Sequence, residues 1–321
     1  MKIVILEAKS LGEDMVFTPF HKLGDVTVYP ATETEEMPER IKDADIIVAN
    51  KLPMCEKTLK DARNIKLICL SATGINNLDG EYLKQRGIHA CNVAGYSTDA
   101  VAQHTFAILF YVWEKLRFYD DYVKSGAYTE NPSFSCFSER FLELNGKTWG
   151  IVGMGAIGRK VASIAEAFGC RVICYSASGS TYDLAGTERR QVDFDTLLRE
   201  SDILSIHAPL NGHTKDLMNL DAFRKMKKTA VLVNVARGPI VNQEALYQAL
   251  TEEMIAGAAL DVLTEEPMRK DNPLLKIQDS RKLLITPHIG WGPVETRTRC
   301  IAEVAKNIEA FLRGEDRNRV Y

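Results

Sequence analysis

Short apolar runs alternate with polar, helix-compatible stretches along the first ninety residues. Residues 2–6, 26–29, 45–49, 66–70 and 88–91 read as strands, and 35–42 and 81–86 lie between them as helix-compatible segments. Apolar runs this short, separated by helical patterns, predict α/β layering on a parallel sheet. The pattern then changes. From about residue 99 to 119 the chain is apolar on nearly every side (Val101, Phe106, Ile108, Leu109, Phe110, Val112, Trp113), which predicts a buried helix. Ser97 or Thr98 can cap it, with Asp99 in its first turn. Residues 125–145 mix Gly, Pro, Ser and Phe with little periodicity, and are open to two readings, an interface arm or a packed loop.

Strand and helix alternate again from residue 146. Strands are expected at 149–152, 171–175, 203–207, 230–235 and 256–261, helices at 193–200 and 243–250, and a last strand-to-loop stretch lies within 283–290. A last helix over 294–313 has an apolar face at Ile301, Val304, Ile308 and Phe311. The first of these strands breaks into Gly153-Met154-Gly155-Ala156-Ile157-Gly158 and continues as a helix with Val161, Ile164, Ala165 and Phe168 on one face. Strand, glycine turn and helix in that order predict a dinucleotide site. The glycines allow a tight turn, a close approach to pyrophosphate and close helix packing, while the helix N-terminus offers N–H groups to the phosphates.

Composition narrows the class. The 321 residues suggest two domains, with 45% hydrophobic and 26% charged residues as in ordinary globular proteins. A net charge of -3 gives no electrostatic reason to expect nucleic acid or an anionic membrane. No N-terminal stretch resembles a signal peptide and no apolar run reaches spanning length. The seven cysteines form no CxxC pair, so neither a zinc site nor a disulfide framework is expected; a reducing cytoplasm is the expected location. No cluster has metal-ligand spacing.

Three polar residues stand just past separate expected strands: Arg237, Glu266 and His288. Arg can hold a carboxylate with two hydrogen bonds, His can move the proton that accompanies hydride transfer, and Glu beside His favours the imidazolium. The bland readings are a surface Arg, a loop carboxylate and a core His. His104 and His207 are read as structural. Thr73-Gly74, after the fourth strand, can offer N–H groups to a small anion or be an ordinary turn. An acid ending the strand 171–175 would bind the ribose 2′-hydroxyl of NAD. Ser176 stands there instead, and no Arg follows it, so NAD and NADP both stay open.

Several blocks in order make the chain resemble the D-2-hydroxyacid dehydrogenase family. They are Ala72 to Asp79 (ATGINNLD), Gly95 to His104 (GYSTDAVAQH), the glycine turn, His207 to Asn211 (HAPLN), Asn234 to Gly238 (NVARG), Asp261 to Pro267 (DVLTEEP) and Thr286 to Ile289 (TPHI). The resemblance implies an α/β fold of two doubly wound parallel-sheet domains. A flavodoxin-like substrate domain (1–96 plus 291–321) would carry an inserted Rossmann cofactor domain (97–290), with a cleft that closes on substrate.

It also implies roles for residues. Arg237, Glu266 and His288 would be catalytic. Gly153, Gly155, Ala156, Ile157, Gly158, Ser176, Ala208, Pro209, Thr214, Val235, Ala236 and Asp261 would bind the dinucleotide, NAD or NADP, with Asp261 toward the carboxamide. Lys51, Thr73, Gly74 and Trp291, with Arg237 and His288, would meet a small 2-oxo acid. A homodimer through the long helix and arm is implied as well. Asn50-Lys51, Ala94 to Thr98 and Thr286 to Trp291 look most like glycerate dehydrogenases (hydroxypyruvate reductases). The absence of a domain after residue 321 argues against phosphoglycerate dehydrogenases, and Pro287 before His288 argues against formate dehydrogenases. The alternatives are a dehydrogenase of a branched 2-oxo acid and an NAD(H)-sensing scaffold of the C-terminal-binding-protein kind.

Overall fold

A computed structural model describes residues 1–321. Its internal contacts divide the chain into two units, Met1–Ser97 with Trp291–Tyr321, and Thr98–Gly290.

The first unit holds five parallel strands: β1 (Lys2–Ile5), β2 (Asp25–Val28), β3 (Ile46–Ala49), β4 (Leu67–Leu70) and β5 (His89–Cys91), in the order β2-β1-β3-β4-β5. That is the flavodoxin-like order. Alternate residues of each strand face opposite sides, so the runs are apolar throughout because both faces are covered. Ile3, Ile5, Ile46 and Val48 pack toward the C-terminal helix Val294–Leu312 through Ile301, Val304 and Ile308. Val4, Leu6, Ile47 and Ile68 pack on the other side with Met37, Ile41, Leu59 and Leu83. The helices carrying those last four are α2 (Met37–Ile41), α3 (Glu56–Leu59) and α4 (Gly80–Arg86), after a short α1 (Thr18–His21).

The second unit begins with α5 (Thr98–Trp113) and α6 (Leu116–Lys124). The sequence pattern suggests one helix here, but Lys115 breaks it, with φ +58°. Its ammonium donates to the Arg281 carbonyl at 2.9 Å, and burial lowers its pKa. Beyond a short 3-10 turn, residues 131–147 contain no regular element, and Phe134 and Phe137 are 91% and 82% exposed.

Seven parallel strands follow: β6 (Thr148–Val152), β7 (Arg171–Tyr175), β8 (Arg190–Gln191), β9 (Ile203–Ile206), β10 (Val231–Asn234), β11 (Gly257–Leu260) and β12 (Leu283–Ile285). Their order is β12-β11-β10-β9-β6-β7-β8, the doubly wound order of Rossmann sheets with one added strand. The helices between them are α7 (Ala156–Ala167), α8 (Phe194–Glu200), α9 (Leu220–Lys225) and α10 (Gln243–Thr251). Side chains of Asp193, Asn219 and Asn242 cap the last three by accepting from Thr196, Ala222 and Ala245 N–H groups. Each cap contributes about 1 kcal/mol. Trp149, Ile151, Val231 and Val233 bury against α5 and α7, while Val152, Leu204, Ile206 and Leu232 bury against the helices opposite. No helix is long and apolar enough to cross a membrane.

Candidate active site

In the second unit the chain direction reverses across the sheet between β6 and β9, the switch point where ligands of open α/β sheets sit. Gly153 follows β6 with φ +93°, and a Cβ there would lie 2.8 Å from the Ala208 backbone after β9. A Cβ on Gly158 would lie 2.1 Å from the Gly153 carbonyl, so α7 presses on the turn. At Gly155, the N-cap of α7, a Cβ would meet nothing within 4 Å. Two glycines are therefore demanded by packing and the third borders open space. Open space before the N-terminus of a twelve-residue helix, where Ala156 and Ile157 offer their N–H groups, fits a pyrophosphate.

Ser176 is buried just beyond β7. Ala208 and Pro209 follow β9. Thr214 is 1% exposed and its hydroxyl donates to the Pro209 carbonyl at 2.7 Å, so it staples this loop rather than presenting itself. Val235 and Ala236 follow β10, where the Asn234 side chain accepts from Ala236 N–H and donates to the Arg237 carbonyl.

Strands β10, β11 and β12 are neighbours, so the loops after them meet. Arg237 is half-buried and gives one N–H to the Ala236 carbonyl at 2.7 Å. A Cβ on the next residue, Gly238, would lie 1.9 Å from the Leu263 carbonyl group. The Leu263 N–H in turn donates to Glu266 Oε1 at 2.9 Å, and Glu266 Oε2 lies 2.7 Å from His288 Nδ1. One continuous set of contacts thus joins the three loops. With Nδ1 held by Glu266, the imidazole presents Nε2, and the side chain is 23% exposed.

Asp261, at the end of β11, is almost fully buried. Its Oδ1 accepts from the Thr286 hydroxyl at 2.6 Å and the Ile289 N–H at 2.8 Å, with His104 Nε2 at 3.2 Å; Oδ2 accepts from the Gly290 N–H at 2.8 Å. Burial pushes its pKa up, but the bonds from His104, Thr286, Gly290 and Ile289 outweigh burial and leave it below its ordinary value. Its own carbonyl also accepts from the His288 N–H at 2.8 Å. His288 has φ +57°, a conformation rare for a residue with a Cβ, and Asp261 holds the segment on both sides of it. The resemblance assigns Asp261 to a carboxamide; the structure adds that most of its acceptor capacity serves the His288 segment.

His104 is a satisfied core histidine. His207 is not: Nε2 lies 3.0 Å from the Ser205 hydroxyl, Nδ1 has no partner, and burial lowers its pKa to about 3. Nothing in the residue pattern around His207 signals that orphan nitrogen. Two further side chains went unnoticed in the sequence. Arg159, in the first turn of α7, donates to the Asp183 carbonyl beyond β7 at 3.0 Å. Glu7 in the first unit accepts from the Asn50, Lys51 and Leu52 N–H groups.

The remaining candidates lie in the first unit. Lys51 follows β3 in the loop Glu7 holds. Thr73 and Gly74 follow β4; the Thr73 hydroxyl donates to the Val93 carbonyl at 3.0 Å, and its carbonyl accepts from Asn92. Trp291 meets Tyr96 edge to face at 6.5 Å. No group of three or more His, Cys, Asp or Glu is arranged to hold a metal ion.

Residues 106–290 match the family model of the D-isomer specific 2-hydroxyacid dehydrogenase NAD-binding domain. The chain is 35% identical to the hydroxypyruvate reductase of Blautia hydrogenotrophica, with 99% of each covered. Among solved structures it resembles the D-lactate dehydrogenase of Aquifex aeolicus complexed with NAD and lactic acid (28% identity, TM-score 0.86, 98% and 96% covered). It also resembles an acyclic imino acid reductase in complex with NADPH and D-arginine (29% identity, TM-score 0.88, all of both chains covered). A doubly wound sheet with its glycine turn at the switch point is a dinucleotide-binding architecture, and the matching relatives make its class an NAD(P)-dependent oxidoreductase. The chain belongs to the D-isomer specific 2-hydroxyacid dehydrogenase family.

Proposed function

We propose that this enzyme reduces hydroxypyruvate, and more slowly glyoxylate, to the corresponding D-2-hydroxy acid. The observation that carries the mechanism is the 2.7 Å bond between His288 Nδ1 and Glu266, which leaves Nε2 as the proton donor. A bound nicotinamide supplies the hydride. Arg237 grips the substrate carboxylate with its remaining N–H donors. His288 protonates the carbonyl oxygen and Glu266 orients the ring and compensates its charge. Gly153, Gly155, Ala156, Ile157 and Gly158 receive the pyrophosphate, and Ser176 the adenosine ribose. Ala208, Pro209 and Thr214 shape the adenine side, and Val235, Ala236 and Asp261 the nicotinamide side. Asp261 has a lone pair on Oδ2 left for the carboxamide.

The first unit is the substrate domain in this reading. The N–H groups of Thr73 and Gly74 serve the carboxylate, and Lys51 and Trp291 a hydroxymethyl group. The likeness to a hydroxypyruvate reductase across the full chain supports that substrate. We place the protein in the cytoplasm, where its seven unpaired cysteines are stable. We also propose a homodimer through α5, α6 and the exposed aromatics of the arm. Light scattering would return a dimer mass, and Phe134→Ser with Phe137→Ser would shift it toward the monomer.

The test of function is steady-state reduction of hydroxypyruvate, glyoxylate, pyruvate and 2-oxoisocaproate by the pure protein. The expected order places hydroxypyruvate first in kcat/KM. A preference for 2-oxoisocaproate would move the enzyme to another branch of the family, and no rate with any acid would refute the reading.

A further inference from the structure

Resting on the reading that the second unit binds a nicotinamide dinucleotide, we propose that it takes the 2′-phosphorylated form, NADPH, in preference to NADH, with Ser176, Ser178 and Arg159 meeting the phosphate. A site made for NADH ends its second strand in a carboxylate. That group accepts hydrogen bonds from the ribose hydroxyls and repels a phosphate of charge near -2. Here β7 ends at Tyr175, and the next seven residues, Ser176 to Tyr182, contain no acid.

In its place stands a chain of hydroxyls. Ser176 Oγ lies 3.2 Å from Ser178 Oγ, which lies 2.9 Å from Ser180 Oγ. Ser176 is buried and the other two are exposed, so the hydroxyls run from the strand end to the surface. Each hydroxyl rotates and can donate to a phosphate oxygen, which a carboxylate cannot do. The space beside Gly179 is open, with nothing within 4 Å of where a Cβ would lie.

The cation comes from elsewhere in the chain, which is why reading along the strand misses it. Arg159 leaves the first turn of α7, the helix whose N-terminus borders the pyrophosphate position, and reaches across to the loop after β7. It is fixed there by one N–H on the Asp183 carbonyl at 3.0 Å. No carboxylate lies within salt-bridge distance of its guanidinium. The two arginines further along are spent: Arg189 donates from Nε and Nη2 to Glu166, each at 2.7 Å, and Arg190 donates to Glu200 at 2.7 Å. The Asp183 carboxylate turns into its own loop and accepts from the Ala185 N–H at 3.1 Å. A planar guanidinium with donors to spare, held on the loop that carries these hydroxyls, and no acid from Ser176 to Tyr182 suit a phosphomonoester.

The test is calorimetric titration of the whole protein with NADPH and NADH, and with the fragments 2′-AMP and 5′-AMP, without any substrate. NADPH is expected to bind about tenfold tighter than NADH, a difference of about 1.4 kcal/mol, and 2′-AMP tighter than 5′-AMP. Equal or tighter binding of NADH overturns the proposal. Ser176→Asp should invert the ratio. Should that buried substitution prevent folding, the exposed Arg159→Ala carries the test, with an expected fall of about tenfold in the NADPH:NADH affinity ratio; an unchanged ratio removes Arg159 from the site. The two readings fail separately. Tight NADPH binding with no 2-oxo acid reduced would sink the catalytic proposal alone, and turnover with NADH bound tighter would sink this one alone.

Discussion

Gly238→Ala probes how the loops that carry Arg237, Glu266 and His288 are held together. The added Cβ would lie 1.9 Å from the Leu263 carbonyl carbon and oxygen, both backbone atoms that cannot rotate away. Restoring ordinary contact, which begins at 3.4 Å, requires a displacement of about 1.5 Å. Either loop can give way, and the consequence is the same. If the β10 loop moves, Arg237 moves with it. If the β11 loop moves, Leu263 carries Glu266, whose Oε1 accepts from the Leu263 N–H, and with Glu266 goes the partner of His288. A misplacement of about 1 Å costs on the order of 100-fold in rate, so kcat/KM for hydroxypyruvate should fall at least that far. The glycine turn after β6 is not part of this contact, but Val235 and Ala236 share the β10 loop with Gly238, so dinucleotide affinity measured by calorimetry should weaken as well, and by much less than kcat/KM. The assay is steady-state kinetics on a variant whose circular dichroism matches the parent. A folded variant within threefold of the parent kcat/KM would refute the claim that this backbone contact sets the geometry of the trio.

Asp261→Asn should cost about 2–4 kcal/mol of stability, because an amide cannot accept from Thr286, Ile289, Gly290 and His104 together and leaves a buried donor unpaired. Denaturant titration would measure it, and kcat should fall as the His288 segment loosens; parental stability would contradict this. His207 gives a pH signature: its native pKa, about 3, lies below the unfolded value near 6.5. The unfolded chain therefore binds the extra proton, and stability is lost as pH falls from about 6.5 toward 3, by at most about 1.4 kcal/mol per pH unit. Urea midpoints of the parent should fall more steeply between pH 6.5 and 5 than those of His207→Asn, and parallel slopes would count against the burial argument.

What the sequence revealed, and what it hid, follows from the range of the signals. Strands β1, β3, β4, β6, β9 and β10 are legible because both faces of a parallel sheet are covered, which leaves unbroken apolar runs. The glycine turn is legible because its demands are local. The break at Lys115 is not, since a polar residue in an apolar stretch does not announce a left-handed backbone; what the structure adds is its bond to the carbonyl of Arg281. Arg237, Glu266 and His288 stand out as polar residues after strands, but not the links through Asn234, Gly238 and Leu263 that bring them together. The service of Asp261 to the His288 backbone, and the reach of Arg159 to the loop after β7, depend on tertiary neighbours that no local pattern records.

The most direct measurement of the central claim is single-turnover oxidation of reduced dinucleotide by hydroxypyruvate in the parent and in His288→Ala, with dinucleotide affinity measured on the same samples. Loss of a positioned proton donor should slow the hydride step by about 100- to 10,000-fold while the affinity changes less than threefold. A variant that keeps near-parental hydride transfer would show that the proton comes from elsewhere, and the mechanism built on His288 and Glu266 would be wrong.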